Sequence, residues 1–378
     1  MFEFMRNSKL DARQYDFVGT VPKKTPFRWN QYGFTLAGPV TIPKVFNGRD
    51  RLFFMSNFEG YRNRRTSTST YTTATTAMRN GDFSYQLNQG NQLYDQFSRA
   101  YGPDGRLTAV PYAGNQIPKS NFSPYSLKLL EFWPEPNVAT NVVNNNYQTA
   151  TRNMIDKDQF TLRLDFNESS TSQWFGRYSW TDESTLNTGM KLNGTTLYTR
   201  ARQYMISNTR TLSSSSVNEF RFGVSDFYNA IALELSEKRN VLAELNIPGL
   251  TSPDSISWGI PRITNLTGYS GFGNDSSGPF VVNDAIFQAI DNFSLIKGSH
   301  SLRFGGEVRR DRYNQKGNEF SRGSFEFSGT YSSNPLTLTG GDSTADLLVG
   351  ALSKAENTVA TAFAQFRATS VYAFIDDT

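Results

Sequence analysis

The residues that could carry chemistry are few. His300 is the single histidine among 378 residues, and cysteine is absent. Histidine-dependent acid–base work would rest on one side chain, and thiolate chemistry has no residue to carry it. A zinc site would need a second histidine or a cysteine beside it. His300 sits with Gly298 and Ser299 in a tight polar turn, with no carboxylate close in sequence, and reads as a turn residue. Asp156 and Asp158 in "DKDQ" lack the further oxygen ligands of a calcium loop and read as the polar start of a strand. The glycine-rich "GYSGFGNDSSG" (268–278) precedes no amphipathic helix, so it reads as a flexible loop and not a phosphate cradle. No G-x-S-x-G elbow or P-loop occurs. One basic cluster remains: Arg62, Arg64 and Arg65 in "RNRR". It is either a solvated strand end or an electropositive patch for an anionic ligand. The expectation is a protein that is not an enzyme, with no cofactor and no metal.

Composition directs attention to the elements that would position these residues. Aromatics make up 14% of the chain, with 30 Phe, 18 Tyr and 5 Trp, yet mean hydropathy is −0.51. Apolar material is therefore concentrated in rings, among turn-forming and polar residues, a mix that suits strands better than helices. A net charge of +4 from 38 basic and 34 acidic residues is too balanced to predict nucleic acid as a partner, which would need a dense basic face. No apolar run reaches the ~20 residues of a transmembrane helix, but a barrel strand needs only ~9–11 and escapes that test.

The strand signal is alternation. In "GSHSLRFGGEVRRDR", Leu302, Phe304, Gly306 and Val308 share one parity, and Arg303, Gly305, Glu307 and Arg309 the other. In "DQFTLRLDF", Phe160, Leu162, Leu164 and Phe166 alternate with Thr161, Arg163 and Asp165. Successive side chains of a strand point to opposite faces, so each segment has one apolar and one polar face. About ten such strands are expected: first strands over 1–64, then an antiparallel meander over 151–378 that includes "GSFEFSGTY" and "SVYAFIDDT". Between them, 65–150 reads as a long loop or subdomain. It holds one short helix near 124–133, with Ser123 as cap, Pro124 at its first position and Pro134 ending it. Connections at 167–172, 213–216 and 297–299 are short, while those at 183–199, 229–284 and 313–322 are longer and polar. That alternation is the loop asymmetry of an outer-membrane barrel, whereas a soluble sandwich has no reason to sort its loops so. Asp291 breaks the pattern by sharing parity with Phe293 and Leu295; either a bulge shifts the register there or that part of the strand lies outside the hydrocarbon.

Several segments, in order, resemble one family. "FEFMRNSKLDAR", "RWNQYGFTLAGPV", "RLFFMSNFEGYRNRR", "MRNGDFS", "NQIPKSNFSPYSLKLLEFWPEPN" and "DQFTLRLDF" are similar to the start of the barrel in Oar-like TonB-dependent outer-membrane transporters. "VNEFRFG", "GSHSLRFGGEVRR", "STADLLVGAL" and "VYAFIDD" resemble later barrel strands. The resemblance implies an all-β fold, an antiparallel transmembrane β-barrel. It also implies a chain carrying about half of a large barrel, with long external loops, and without signal peptide, plug or the later strands. It further implies the outer membrane of a Gram-negative bacterium, with membrane lipid as a partner and the TonB complex as another through the plug. Arg62, Arg64 and Arg65 would then lie at the outer rim, within reach of lipopolysaccharide phosphates.

The leading functional expectation is the wall of a TonB-dependent transporter or receptor, with its ligand unidentified. Two alternatives stand beside it. One is an adhesion or surface-organising protein of the same fold, which saturable uptake of a small ligand would argue against. The other is a soluble, secreted β-sandwich that binds carbohydrate, which recovery only from the outer-membrane fraction would exclude.

Overall fold

A computed structural model of the chain describes residues 1–13, 15, 24–139, 143–252, 254–264, 266–275, 278–359 and 362–378. Its main element is one ten-stranded antiparallel sheet whose strands neighbour one another in sequence order. They are β1 (Phe2–Asn7), β2 (Phe27–Pro39), β3 (Leu52–Tyr71), β4 (Tyr147–Ser169) and β5 (Ser172–Asn187). Next come β6 (Thr195–Ser213), β7 (Ser216–Leu233), β8 (Phe280–Lys297), β9 (His300–Gly317) and β10 (Ala362–Asp377). β1 and β10 are its edges, so the barrel is not closed. From β3 onward the strands run 16 to 23 residues. At ~3.3 Å per residue that is roughly 50–75 Å, well beyond an apolar band ~25 Å tall even with a strong tilt.

Alternation holds across the central strands and breaks at the edges, where Phe2 and Phe4 stand opposite Gly33 and Gln31, and Tyr372 and Phe374 opposite Glu307 and Gly305. One face carries a continuous apolar belt near the short-turn ends. Phe34 pairs with Phe58, Phe58 with Phe160 and Phe160 with Trp180. Leu162 pairs with Tyr178 and Tyr178 with Tyr204, and further on Phe293 pairs with Phe304 and Phe304 with Ile375. Ring pairs such as Tyr178–Tyr204, with centroids 4.9 Å apart, are the cross-strand contacts that stabilise sheets. The opposite face is polar and internally paired. Gln31 donates to Glu59 at 2.7 Å, Arg177 to Gln203 at 2.7 Å and Gln288 to Glu307 at 2.7 Å, while Arg163 grips Asp165.

The ladders flanking Asp291 run without a register shift, pairing it with Phe220 and Gly306. No bulge explains it. Its exposed carboxylate stands on the belt face, accepts a hydrogen bond from Asn218 at 2.9 Å and has the vacant side of Gly306 beside it.

The connections segregate by end. At one end lie 40–51 and the two-residue turns 170–171, 214–215 and 298–299. At the other lie 8–26, 72–146, 188–194, 234–279 and 318–361. The expected alternation of short and long is present, although 188–194 is far shorter than anticipated. The long connections condense into a headpiece. Every member of the buried hydrophobic cluster, from Ala74 to Val349, belongs to one of four of them, and none to a wall strand. Trp133 and Phe272 stack at its centre, 5.1 Å apart. A surface hairpin, Ala100–Tyr101 against Leu107–Thr108, projects from the 72–146 connection.

Four expectations need correction. β3 continues to Tyr71 and β4 resumes at Tyr147, because the Thr- and Ser-rich "TSTSTY" pairs with "YQTAT" as a polar ladder; threonine favours strands whatever its polarity. The segment 72–146 does hold the helix capped by Ser123, but among the described residues that helix is one of five short α-helices. They are α1 (Thr76–Arg79), α2 (Ser84–Leu87), α3 (Pro124–Leu130), α4 (Val241–Leu245) and α5 (Ser343–Val349). α3 ends at Leu130, short of Pro134, and Arg79 donates to the carbonyls of Leu130 (3.0 Å), Trp133 (2.7 Å) and Pro134 (2.9 Å) just past it. "STADLLVGAL" is not a wall strand but α5. Asp342 caps its first turn and Gly350, at φ 76°, ends it in the left-handed region, the usual start and stop chemistry of a helix. "GSFEFSGTY" contributes only Ser324–Glu326, in a small sheet with Arg262–Thr264 and Lys354–Glu356.

Candidate functional site

The basic cluster is placed mid-strand on β3, and alternation divides it. Arg62 and Arg64 stand on the belt face, Arg65 on the other. Arg62 donates to both carboxylate oxygens of Asp158 at 2.8 Å and lies 3.4 Å from Asp156. Arg64 reaches Asp156 at 2.5 Å. Both guanidiniums also donate to carbonyls of β4, Lys157 at 2.8 Å and Ile155 at 3.1 Å. Two arginines and two aspartates make a charge-balanced ladder, bidentate where geometry allows, just above Phe58 and Phe160. Arg65 lies over the Phe27 ring at 5.3 Å. The sequence brought the two acids and the two bases to notice separately; the strand pairing joins them into one structure. Arg202 and Asp182 extend the same band, 3.0 Å apart.

His300 has a carboxylate after all. Its Nδ1 lies 2.8 Å from Asp377, at the short-turn end of the β9–β10 ladder. Both residues are exposed. No group of three or more metal-binding side chains comes together among the described residues. Of the glycine-rich 268–278 stretch, 276 and 277 lie outside the described residues.

The headpiece contains a cleft of about 630 Å³. Connections 72–146, 234–279 and 318–361 build it, with Gln86, Asn91, Asn144, Tyr269 and Ser343 in its lining. Beneath it is a buried polar chain. The Tyr269 hydroxyl donates to Asp342 at 2.9 Å and lies 3.0 Å from the Tyr85 hydroxyl, and Gln86 donates to Asp342 as well. The other Asp342 oxygen accepts from the amides of Thr344 (2.7 Å) and Ala345 (3.1 Å). One turn on, Asp346 accepts from the amides of Ser332 (2.8 Å) and Tyr331 (3.1 Å). Burial pushes the Asp342 carboxyl up, drives the Tyr269 hydroxyl up, and raises Asp346 to about 6, since desolvation disfavours the charged form. These residues drew no notice as a site from the sequence. The available signal was the helix start in "DSTADLLVG", an aspartate before Ser-Thr and a glycine after the apolar run.

The arrangement can present a folded polar surface above a membrane belt and line a polar interior beneath it. No curated protein sequence matches the chain. The structure is similar to that of the outer membrane transporter YddB from Escherichia coli, at 6% identity and a TM-score of 0.43, covering 93% of this chain and 32% of that one. The chain thus spans about a third of that transporter's length, 32%. A family model described as the outer membrane beta barrel domain matches residues 1–378. That family places the protein in the outer membrane, which is the solvent its apolar belt requires. With the match running the whole length and the sheet built as a barrel wall, the chain belongs to the outer membrane β-barrel domain family.

Proposed function

We propose that the chain is wall and surface headpiece of a TonB-dependent transporter that takes a ligand across the outer membrane. The observation that carries the reading is the segregation of the molecule. The four connections that share a single folded core all lie at one end, above a sheet whose inner face carries hydrogen-bonded polar pairs. A headpiece of this kind suits ligand capture, and a wet interior suits passage through the lumen of a large barrel. The energy would come from the inner-membrane TonB complex acting through a plug.

The test compares cells with and without the gene for uptake of labelled siderophore, cobalamin, oligosaccharide and peptide probes, each with and without a protonophore. Saturable, protonophore-sensitive uptake of one probe class that requires the gene is the expected result. Loss of cell–cell or surface attachment on deletion, with every uptake unchanged, would replace this reading with the adhesive one.

A further inference from the structure

Above the belt, the outward face carries two basic groups with different surroundings. Arg62 and Arg64 are neutralised by Asp156 and Asp158. Arg310, Arg312 and Arg367, on β9 and β10, are not. All three are exposed, and their described partners are neutral. Arg310 donates to the Thr369 hydroxyl at 2.6 Å. Arg367 donates to the Asn314 amide oxygen at 2.7 Å and to the Tyr313 carbonyl at 3.1 Å. Arg312 lies over the Phe287 ring at 5.1 Å. The carboxylates next to them in sequence point the other way: Asp311 is on the inner face, held by Arg309 at 2.8 Å. In register on the outward face, the nearest acid is Asp226, opposite Ala285, which is opposite Arg312.

The register sharpens the point. Arg312 is directly opposite Arg367 across the ladder, and Arg310 is opposite Thr369. Like charges facing each other across two strands are destabilising unless an anion lies between them. Immediately below, on the same outward face, stand Val308 opposite Val371 and Phe304 opposite Ile375. Three guanidiniums over an apolar strip complement one kind of molecule, an anionic headgroup attached to acyl chains. Arginine forks match phosphate oxygens in pairs. The three arginines lie on the long-connection side of the belt, and outer-membrane barrels turn their long loops outward. The anion is therefore that of an outer-leaflet lipid.

We propose that Arg310, Arg312 and Arg367 form a binding site for a phosphorylated lipid of the outer leaflet, its phosphates on the three guanidiniums and its acyl chains along Val308, Val371, Phe304 and Ile375. The site depends on the outer-membrane location and not on transport, so uptake and lipid retention are separable readouts. The protein is purified from outer membranes in mild detergent, and retained phosphorylated glycolipid is counted by native mass spectrometry. The R310Q/R312Q/R367Q variant should retain at least about fivefold less lipid than the wild type, and R310K/R312K/R367K should hold an intermediate amount, keeping charge without the fork. The R303Q/R309Q variant removes charge from the inner face of the same strand and should retain lipid as the wild type does. Equal retention by the glutamine triple, or equal loss from the inner-face variant, overturns the proposal. Where the triple does not reach the membrane, the wild type is placed in nanodiscs with the same glycolipid before and after enzymatic dephosphorylation. About fivefold preference for the phosphorylated form is then expected, and no preference overturns the site.

Discussion

Asp346 is a carboxylate held out of water by α5 and tied down by two backbone amides of the preceding turn. Its acidity falls to about 6 in the folded headpiece, against ~3.9 in an unfolded chain. The folded form therefore holds the proton more tightly. The resulting stability is fully present below ~4 and is lost as pH rises through about 6. The buried Asp342 is pushed the same way by burial. The headpiece should resist limited proteolysis better at pH 5 than at pH 7.5, by on the order of 1–2 kcal/mol. Asp346→Asn should flatten much of that dependence; an unchanged pH profile in the variant would assign the effect elsewhere. On the wall, Phe304 faces lipid at 42% exposure and its neighbour Arg303 faces the interior. Phe304→Arg near the middle of the belt should cost ~2–4 kcal/mol, several times the cost of Arg303→Leu. Equal losses, read by urea-dependent unfolding in lipid vesicles, would reverse the assignment of faces.

At the scale of elements, the wall was legible and the headpiece was not. A strand such as β9 announces itself because its period of two is complete within a dozen residues. The Ser123 cap and the proline after it likewise placed α3 locally. The headpiece core draws on Met78, Trp133, Leu242, Phe272 and Leu347, which lie far apart in sequence, and its helical members Met78, Leu242 and Leu347 sit on helices of four to seven residues. Elements that short show no helical period to set against the strand that the family resemblance of "STADLLVGAL" implied for α5. The ion pairs were hidden for the same reason: Arg62 and Asp158 are 96 residues apart and His300 and Asp377 are 77 apart. Leu347 in α5 is fully buried. Leu347→Ala should destabilise the headpiece by ~2–5 kcal/mol through the cavity left behind. The wall strands, which lend the core no fully buried residue and touch it only through strand-end side chains such as Tyr71 and Tyr147, should keep their far-ultraviolet signal and detergent-resistant mobility.

At the scale of the molecule, two parts are held together by two solvents. The headpiece buries its apolar residues against one another, while the wall keeps Phe, Tyr and Leu side chains on its surface for lipid. Unfolding in urea from vesicles should accordingly be biphasic. Fluorescence from Trp133 and Trp258 should change at lower denaturant than that from the belt residues Trp174 and Trp180, as single-tryptophan variants would show. One coincident transition would mean that the headpiece has no stability of its own. The hairpin at 100–108 has a different standing from everything around it. Its tip, Pro103 to Arg106, is exposed, and Gly105 has no atom within 4 Å of where a side chain would begin. Because the four connections share one core, foreign sequence spliced into α5 would disturb all of them together. Spliced at the hairpin tip, a peptide tag would ride on a folded base and face the medium, so this turn is a place where the cell surface could be labelled without altering what it displays.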